Sequence, residues 1–331
     1  MPKIAMLGLG GMGRHHAHVL TKKLGHTLFA VSDEFPEARD RFKAEYPGTL
    51  VFENHKDLLE KARPDVAWVC LPTFLHHPVA LDCAAAGVHV MLEKPMALKS
   101  DECRAIDTAA KKAKIKLMLA FCRRFDAHWG TLRKILAEDS VLGRPVVWRQ
   151  MFAGSGPGRW FMDQNLGGGP FIDGCVHNHD FNLWTFGKAV SVKSSLVRLA
   201  PTSAWDTGVA DIVFERGDRT SLNWSWGLPK GSRGINTQDV LGAKGALHFG
   251  IPEAHRPADF DPQTQDGFHV IGQDGAVSVH TFHKNDMYEE EDRHFLECVE
   301  RDREPSVGAA EGLAATELAE RIFADAERTG S

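Results

Sequence analysis

The residues that most restrict the fold come at the start of the chain. An apolar strand, Lys3-Ile4-Ala5-Met6-Leu7, runs directly into Gly8-Leu9-Gly10-Gly11-Met12-Gly13 and then into the helical pattern Arg14-His15-His16-Ala17-His18-Val19-Leu20. A glycine-rich turn between strand and helix removes side-chain bulk. Backbone N–H groups can then approach a pyrophosphate at the helix N-terminus, where the dipole favours anions. Alone such a turn is a weak signal, and its position strengthens it. Asp33 stands about twenty residues on, at the end of the second predicted strand, where a carboxylate can bind the ribose hydroxyls of a dinucleotide. There it accepts from the ribose of NAD and repels the extra phosphate of NADP, so NAD is the expected cofactor and NADP the less favoured one. Gly8, Gly10, Gly11, Met12, Gly13 and Asp33 are the residues this pattern assigns to it.

The same texture continues to about residue 120, with short apolar runs alternating with helical patterns. Ile4 to Leu7, Thr27 to Ser32, Val66 to Leu71, Val88 to Leu92 and Leu117 to Ala120 read as strands, and the alternation predicts a parallel sheet. Pro78 to Ala86 and Ser100 to Ala113 read as helices, Ser100 supplying an N-cap and Gly87 a C-terminal stop. Beyond about residue 125 a helix at Ala127 to Glu138 is followed by many strands: Val146 to Phe152, Val190 to Leu199, Val209 to Phe214, Thr220 to Trp226, Asn236 to Leu241, Ala246 to Phe249, Phe268 to Ile271 and Val277 to Phe282. Tight turns such as Arg216-Gly217-Asp218 and Gln273-Asp274-Gly275 predict one mostly antiparallel sheet, and Ala309 to Ala326 a final helix. The expected division is a cofactor-binding domain over 1–122 and a substrate-binding and oligomerisation domain over 123–331, with the last helix packing back on the first.

Charge and cysteine usage narrow the partners. Lys and Arg total 39 against 44 Asp and Glu, a mild acidity without a basic tail, which argues against nucleic acid or an anionic membrane and favours small molecules. No window is long and apolar enough to span a bilayer, and a strand at residue 3 leaves no room for a signal peptide. The 6 cysteines are scattered without a Cys-x-x-Cys pair, so reduced thiols and a cytoplasmic location are expected. His15, His16 and His18, His76-His77, and His177 with His179 lack zincin spacing, and no metal is expected.

Two further stretches carry chemistry. In Val88-His89-Val90-Met91-Leu92-Glu93-Lys94-Pro95 an apolar run stops at a charged pair, which delivers Lys94 to the carboxyl end of a strand, the ligand-binding end of an open α/β sheet. In Gly167-Gly168-Gly169-Pro170-Phe171-Ile172-Asp173-Gly174-Cys175-Val176-His177 a flexible link precedes a proline at the first helical position. Asp173 and His177 then fall at i and i+4 on one helix face, which Asp180 and Trp184 continue. Oxidising an alcohol requires removing a weakly acidic hydroxyl proton as hydride leaves carbon. A histidine oriented by a carboxylate can do this near neutral pH, and a lysine beside the oxygen stabilises alkoxide character. The bland alternatives are a solvated Glu-Lys pair and a helix-stabilising Asp-His pair. Arg123, Arg159 and Trp160 are candidates for holding substrate.

Gly8 to Gly13, Leu71-Pro72-Thr73 with His76, Glu93-Lys94-Pro95, Arg123-Arg124-Phe125, and Gly167 to His177 with Asp180 occur in an order that resembles the Gfo/Idh/MocA oxidoreductases over nearly the whole chain. The resemblance implies an α/β protein with an N-terminal Rossmann parallel sheet and a C-terminal α/β domain carrying an open, mostly antiparallel sheet. Homodimers or homotetramers through that sheet are implied too. By the same resemblance Lys94 matches the catalytic lysine, and Asp173 and His177 match the proton-transfer pair of inositol-dehydrogenase-like members. Leu71, Thr73, His76, Glu93 and Lys94 match the cofactor's surroundings, and Pro95 follows a cis peptide. Cys122, where the family often carries asparagine, and Asn178-His179 depart from the pattern. Both bear on substrate identity, and Asn178 joins the substrate-binding candidates.

The expected activity is NAD-dependent hydride transfer to or from a sugar, cyclitol or related polyhydroxy compound. Two alternatives stay open: a glycosidase or lyase that retains NAD in a redox-assisted cycle, and a non-catalytic NAD-sensing regulator on the same fold.

Overall fold

The structure, a computed structural model, describes residues 2–329, the side chains of Arg159, Arg328 and Thr329 excepted. The chain divides into two compact units, Met1–Cys122 with Tyr288–Thr316, and Arg123–Met287 with Glu317–Ser331. Instead of one uninterrupted run over 123–331, the second unit is broken by a segment that returns to the first. Buried polar contacts anchor that segment: Asp292 reaches His16 and Trp68, and Thr316 accepts from the Cys103 thiol at 3.5 Å.

The first unit follows the order β1 (Ile4–Leu7), α1 (Gly11–His18), β2 (Leu28–Ser32), α2 (Pro36–Glu45), β3 (Leu50–Phe52), α3 (His55–Ala62), β4 (Val66–Val69), α4 (Thr73–Ala85), β5 (His89–Leu92), α5 (Ser100–Ala113) and β6 (Leu117–Leu119). Its six strands are all parallel in the order β3-β2-β1-β4-β5-β6. Every residue of β1 and β4 is buried, as expected for central parallel strands covered on both faces. The strand order reverses between β1 and β4, and ligands bind such sheets at the carboxyl ends beside that switch point.

Three local differences from the sequence reading have simple causes. The edge strand β3 went unread because it is three residues long, with Leu50 45 % exposed, and so lacks an apolar run. Helix α4 begins at Thr73, with Pro78 inside it, because Pro72 supplies the N-cap geometry and the helix is already launched when Pro78 arrives. Lys99 is the N-cap of α5, its amide donating to Glu102 at 3.2 Å, so Ser100 is the first helical residue. Gly87 ends α4 at φ 72°, a left-handed conformation that suits glycine.

The second unit comprises α6 (Ala127–Ala137), β7 (Val147–Ala153), α7 (Val176–Phe186), β8 (Ala189–Val197), β9 (Thr207–Phe214), β10 (Arg219–Ser225), β11 (Ile235–Gly242), β12 (Gly245–Phe249), β13 (Gln265–Gly272) and β14 (Val277–His283). Its sheet has the order β14-β13-β12-β11-β7-β10-β9-β8 and is antiparallel except where β7 and β10 run together. All eight strands read from the sequence are present. Period-2 alternation turns Trp148 and Gln150 of β7 inward and Arg149 and Met151 outward. The inner face packs Trp148, Leu222, Val240, Phe268 and Val270 against Leu132 and Leu136 of α6 and Phe181 of α7. Asp126 caps α6 by accepting the amides of His128 and Trp129 at 2.7 and 3.1 Å. Helix α8 (Met287–Glu300) lies in the first unit save its first residue, and α9 (Ala309–Thr329) contributes to both units, changing over after Thr316.

Candidate active site

The glycines of the first turn divide into two kinds. Gly8 sits at φ 95°, and a Cβ there would lie 2.4 Å from the Cys70 carbonyl oxygen, while one on Gly13 would lie 1.9 Å from that of Gly8. Packing demands both. At Gly10 and Gly11 a Cβ would meet nothing within 4 Å, so the face of the turn is open there, and no side chain caps α1. Asp33 is held against this turn, accepting the Leu9 amide at 2.7 Å and the Phe35 amide at 2.9 Å. Arg39 braces the loop by donating to the Asp33 carbonyl oxygen at 2.8 Å. Met12 and Leu71 are half-buried. Thr73 is 1 % exposed, and its hydroxyl has no hydrogen-bond partner among the described residues, a cost of about 1–3 kcal/mol that a bound polar ligand would relieve. An open glycine face, uncapped helix amides and an orphaned hydroxyl at adjacent strand ends fit a dinucleotide.

Lys94 is half-buried two residues beyond β5, and the Lys94–Pro95 peptide is cis. Its amide donates to Glu93 Oε2 at 2.9 Å. His76 Nδ1 and Nε2 lie 2.7 Å from the Pro95 carbonyl oxygen and 2.8 Å from that of Leu71, which pins the proline loop to the end of β4. Glu93 is 6 % exposed and places Oε1 3.2 Å from His16 Nε2. Burial opposes ionisation of Glu93, but His16 and then Lys94 outweigh it and hold the carboxyl below its usual value.

Glu291, beside Asp292 on α8, is 0 % exposed, and neither carboxyl oxygen has a hydrogen-bond partner among the described residues. Burial pushes it well above the usual carboxylate range; His16 opposes the rise, and Asp292 and Glu93 add to it. The folded protein therefore keeps a proton there that the unfolded chain releases near 4.5, so this group makes stability fall as pH rises above that value. Glu291→Gln is expected to flatten the decline of Tm between about pH 5 and 8 and to raise Tm at the upper end. Thermal unfolding across that range checks it. Equal slopes in the two proteins would mean that Glu291 ionises in the fold.

In the second unit, Pro170 opens a wide helical turn, Pro170–Gly174, whose Cys175 amide donates back to the Pro170 carbonyl at 2.7 Å before α7 begins at Val176. Asp173 and His177 therefore straddle a junction, where one regular helix face was expected. The three preceding glycines are closely packed, not a flexible link: a Cβ on Gly167, Gly168 or Gly169 would come within 2.8 Å of Phe161, Ile172 or Ala204. Asp173 is 6 % exposed and His177 half-buried. A Cβ on Gly174 would lie 2.7 Å from the Trp226 ring and 3.3 Å from Trp224 Nε1, so this turn rests against two indoles at the end of β10.

The neighbours form a connected polar layer. Arg123, with its guanidinium 4.1 Å above the Trp129 ring, donates to Asn178 Oδ1 at 3.3 Å, and Asn178 Nδ2 donates to Gln150 Oε1 at 2.5 Å. Among the described residues, Gln150 Nε2 and Trp224 Nε1 are buried donors without an acceptor. Sequence reasoning missed both. The available signal was parity, since Gln150 interrupts the apolar inward positions Trp148 and Phe152 of its strand. Asp180 and Trp184 serve packing: Arg124 grips Asp180 at 2.7 and 3.0 Å, and Trp184 lies beneath the guanidinium groups of Arg124 and Arg133. Trp160 stacks on Phe161 at 3.7 Å, and the side chain of Arg159 lies outside the described ones. His179 is fully buried, with Nε2 2.9 Å from the Phe171 carbonyl oxygen, and burial lowers it to about 4. Among the described residues no group of three or more His, Cys, Asp or Glu side chains could hold a metal.

Residues 2–121 match the model of the oxidoreductase family with an NAD-binding Rossmann fold, and residues 129–248 match the C-terminal domain model of the same GFO/IDH/MocA family. The chain belongs to the GFO/IDH/MocA oxidoreductase family. It is 27 % identical over 329 residues to inositol 2-dehydrogenase of Rhizobium meliloti (strain 1021), covering 96 % of this chain and 94 % of that protein. It is 25 % identical to scyllo-inositol 2-dehydrogenase (NAD(+)) of Bacillus subtilis (strain 168), covering 92 % and 88 %. Among solved structures, the WlbA dehydrogenase from Bordetella pertussis, in complex with NADH and UDP-GlcNAcA, shares the fold at TM-score 0.79 and 23 % identity over 99 % of this chain and 97 % of that one. The protein is thus an oxidoreductase with an NAD-binding Rossmann domain.

Proposed function

We propose that the protein oxidises a secondary hydroxyl of a sugar, cyclitol or related polyhydroxy compound with NAD, or runs the reverse reduction. NAD, when bound, supplies the hydride acceptor. His177 takes the hydroxyl proton, Asp173 orients the imidazole, and the Lys94 ammonium stabilises the oxygen as it gains alkoxide character. The observation that carries this reading is the position of Lys94 beyond β5, at the same carboxyl-terminal strand ends as the open glycine face and the Thr73 hydroxyl. A polyhydroxy substrate is favoured by the buried donors Gln150 Nε2 and Trp224 Nε1, which hydroxyl oxygens would satisfy, and by the inositol dehydrogenases among the relatives. Arg123 and Asn178 act on that substrate by holding Gln150 in place.

The test is a steady-state screen with NAD and NADP across cyclitols, aldoses and ketoses. The expected outcome is NADH formation with at least one polyol, and exclusive use of NADP would remove the role given to Asp33. Net cleavage of a glycoside without NADH accumulation would move the reading to a retained-cofactor cycle.

A homodimer or homotetramer through the second sheet is supported by exposed apolar residues at its outward positions, with Met151 44 %, Leu241 42 %, Ile271 38 % and Val277 36 % exposed. Sedimentation velocity reads this directly, and a monomer at micromolar concentration would remove it. No helix among the described residues is long and apolar enough to cross a membrane, and no disulfide joins the cysteines, which suits a reducing cytoplasm.

A further inference from the structure

The glycine turn and Lys94 belong to different strand ends of the first unit, yet a buried chain of contacts connects them. We propose that His16 is the positioning residue for Lys94: from the helix that follows the turn, its ring reaches Asp292 at 2.8 Å and Glu93 at 3.2 Å, and Glu93 in turn accepts the Lys94 amide at 2.9 Å. The inference rests on the assignment of Lys94 to oxygen stabilisation. His16 lies three residues beyond Gly13 on α1, so whatever settles the turn also sets this ring.

The charges make the arrangement selective. His16 and Asp292 are 0 % exposed, and the Trp68 indole fixes Asp292 by donating to Oδ1 at 2.9 Å. Burial would strip the proton from His16, but Asp292 and then Glu93 outweigh it and hold the ring well above the ordinary imidazole value. The imidazolium thus neutralises two carboxylates that arrive from separate elements. Removing it would take away the charge that faces both, and Glu93 would keep only Lys94 to favour its ionised form. The groups around His16 are Asp292 and Glu291 of α8, Glu93, and the Tyr288 and His15 rings with centroids at 6.0 and 6.3 Å. Lys94 and Cys70 complete the cluster through their interaction with Glu93.

The experiment follows Lys94 without relying on turnover. Reductive methylation of the intact protein with formaldehyde and cyanoborohydride is read by peptide mass spectrometry, in the presence of NAD, as the rate at Lys94 relative to exposed Lys99. His16→Gln is expected to change that ratio by about threefold or more, with NAD affinity from tryptophan fluorescence altered less than about threefold. Asp292→Asn leaves the imidazole and Glu93 in place and weakens the hold on the His16 proton. The change in the Lys94 ratio that accompanies loss of the His16 proton is therefore expected to set in at lower pH than in wild type, and this variant carries the test if His16→Gln does not fold. An unmoved ratio and pH profile in the folded variants would overturn the proposal, because a merely structural role predicts lost stability with Lys94 unaltered. The two assignments are separable. Full turnover by Lys94→Ala would remove the role of that lysine and leave the labelling result standing, whereas an inactive Lys94→Ala with unmoved labelling would sink the positioning role alone.

Discussion

Lys94→Ala is expected to lower kcat by about 10²- to 10³-fold while NAD binding stays within a fewfold of wild type. The asymmetry follows from where the side chain acts. The open glycine face, the amides at the start of α1 and the Asp33 carboxylate belong to the turn and the end of β2, and Lys94 contributes to none of them. In the proposed reaction its ammonium works on charge that develops at the substrate oxygen, and an interaction made chiefly in the transition state appears in kcat. Arginine should not restore the rate, because a planar guanidinium on a different stem cannot place a compact charge at the same point. Titration of NAD by fluorescence beside steady-state kinetics checks both halves. Normal turnover would end the assignment.

His177→Ala should cost about 10²- to 10⁴-fold in kcat, the usual span for losing a positioned proton acceptor. Asp173→Asn should cost less, because an amide preserves shape and loses only the charge that orients and supports the imidazole. Local geometry makes both substitutions informative. Asp173 sits in the wide turn between closely packed glycines and α7, with Gly174 against Trp224 and Trp226, so the isosteric asparagine requires no repacking. His177 is only half-buried, so truncating it opens no deep cavity. Unfolding midpoints near wild type would show that the rate losses belong to chemistry. A His177→Ala enzyme with near-normal turnover would assign proton transfer to another group.

What was legible in the sequence lay where local chemistry is restrictive. Gly8 and Gly13 could be read because a strand, a tight turn and a helix in direct succession leave no room for a Cβ, and the structure places carbonyl oxygens 2.4 and 1.9 Å from one. The second sheet could be read because its strands are half-buried and alternate cleanly. Strand β3 could not, since an exposed three-residue edge carries no periodic signal. Gln150 and Trp224 escaped because a polar residue on the inward parity of one strand gains meaning only when its neighbours are known. The return of Tyr288–Thr316 to the first unit was hidden for a similar reason, because its anchoring contacts join residues far apart in the chain.

The sequence alone therefore determined the fold class and the glycine turn between the first strand and its helix, and it supplied the residue types from which the proposed roles of Asp33, Lys94, Asp173 and His177 are drawn. These follow from backbone sterics, hydrophobic periodicity and residue chemistry, all of which act over a few neighbouring positions. Only the tertiary structure decided which ionisable groups are buried together and paired with one another. It tied Asp180 to Arg124, set the buried His16 ring between Glu93 and Asp292, which hold its pKa up, and buried Glu291 beside them, where desolvation raises its own. Protonation and pairing in a buried cluster depend on desolvation and on charges brought together from distant segments, and neither is written in any short stretch of residues.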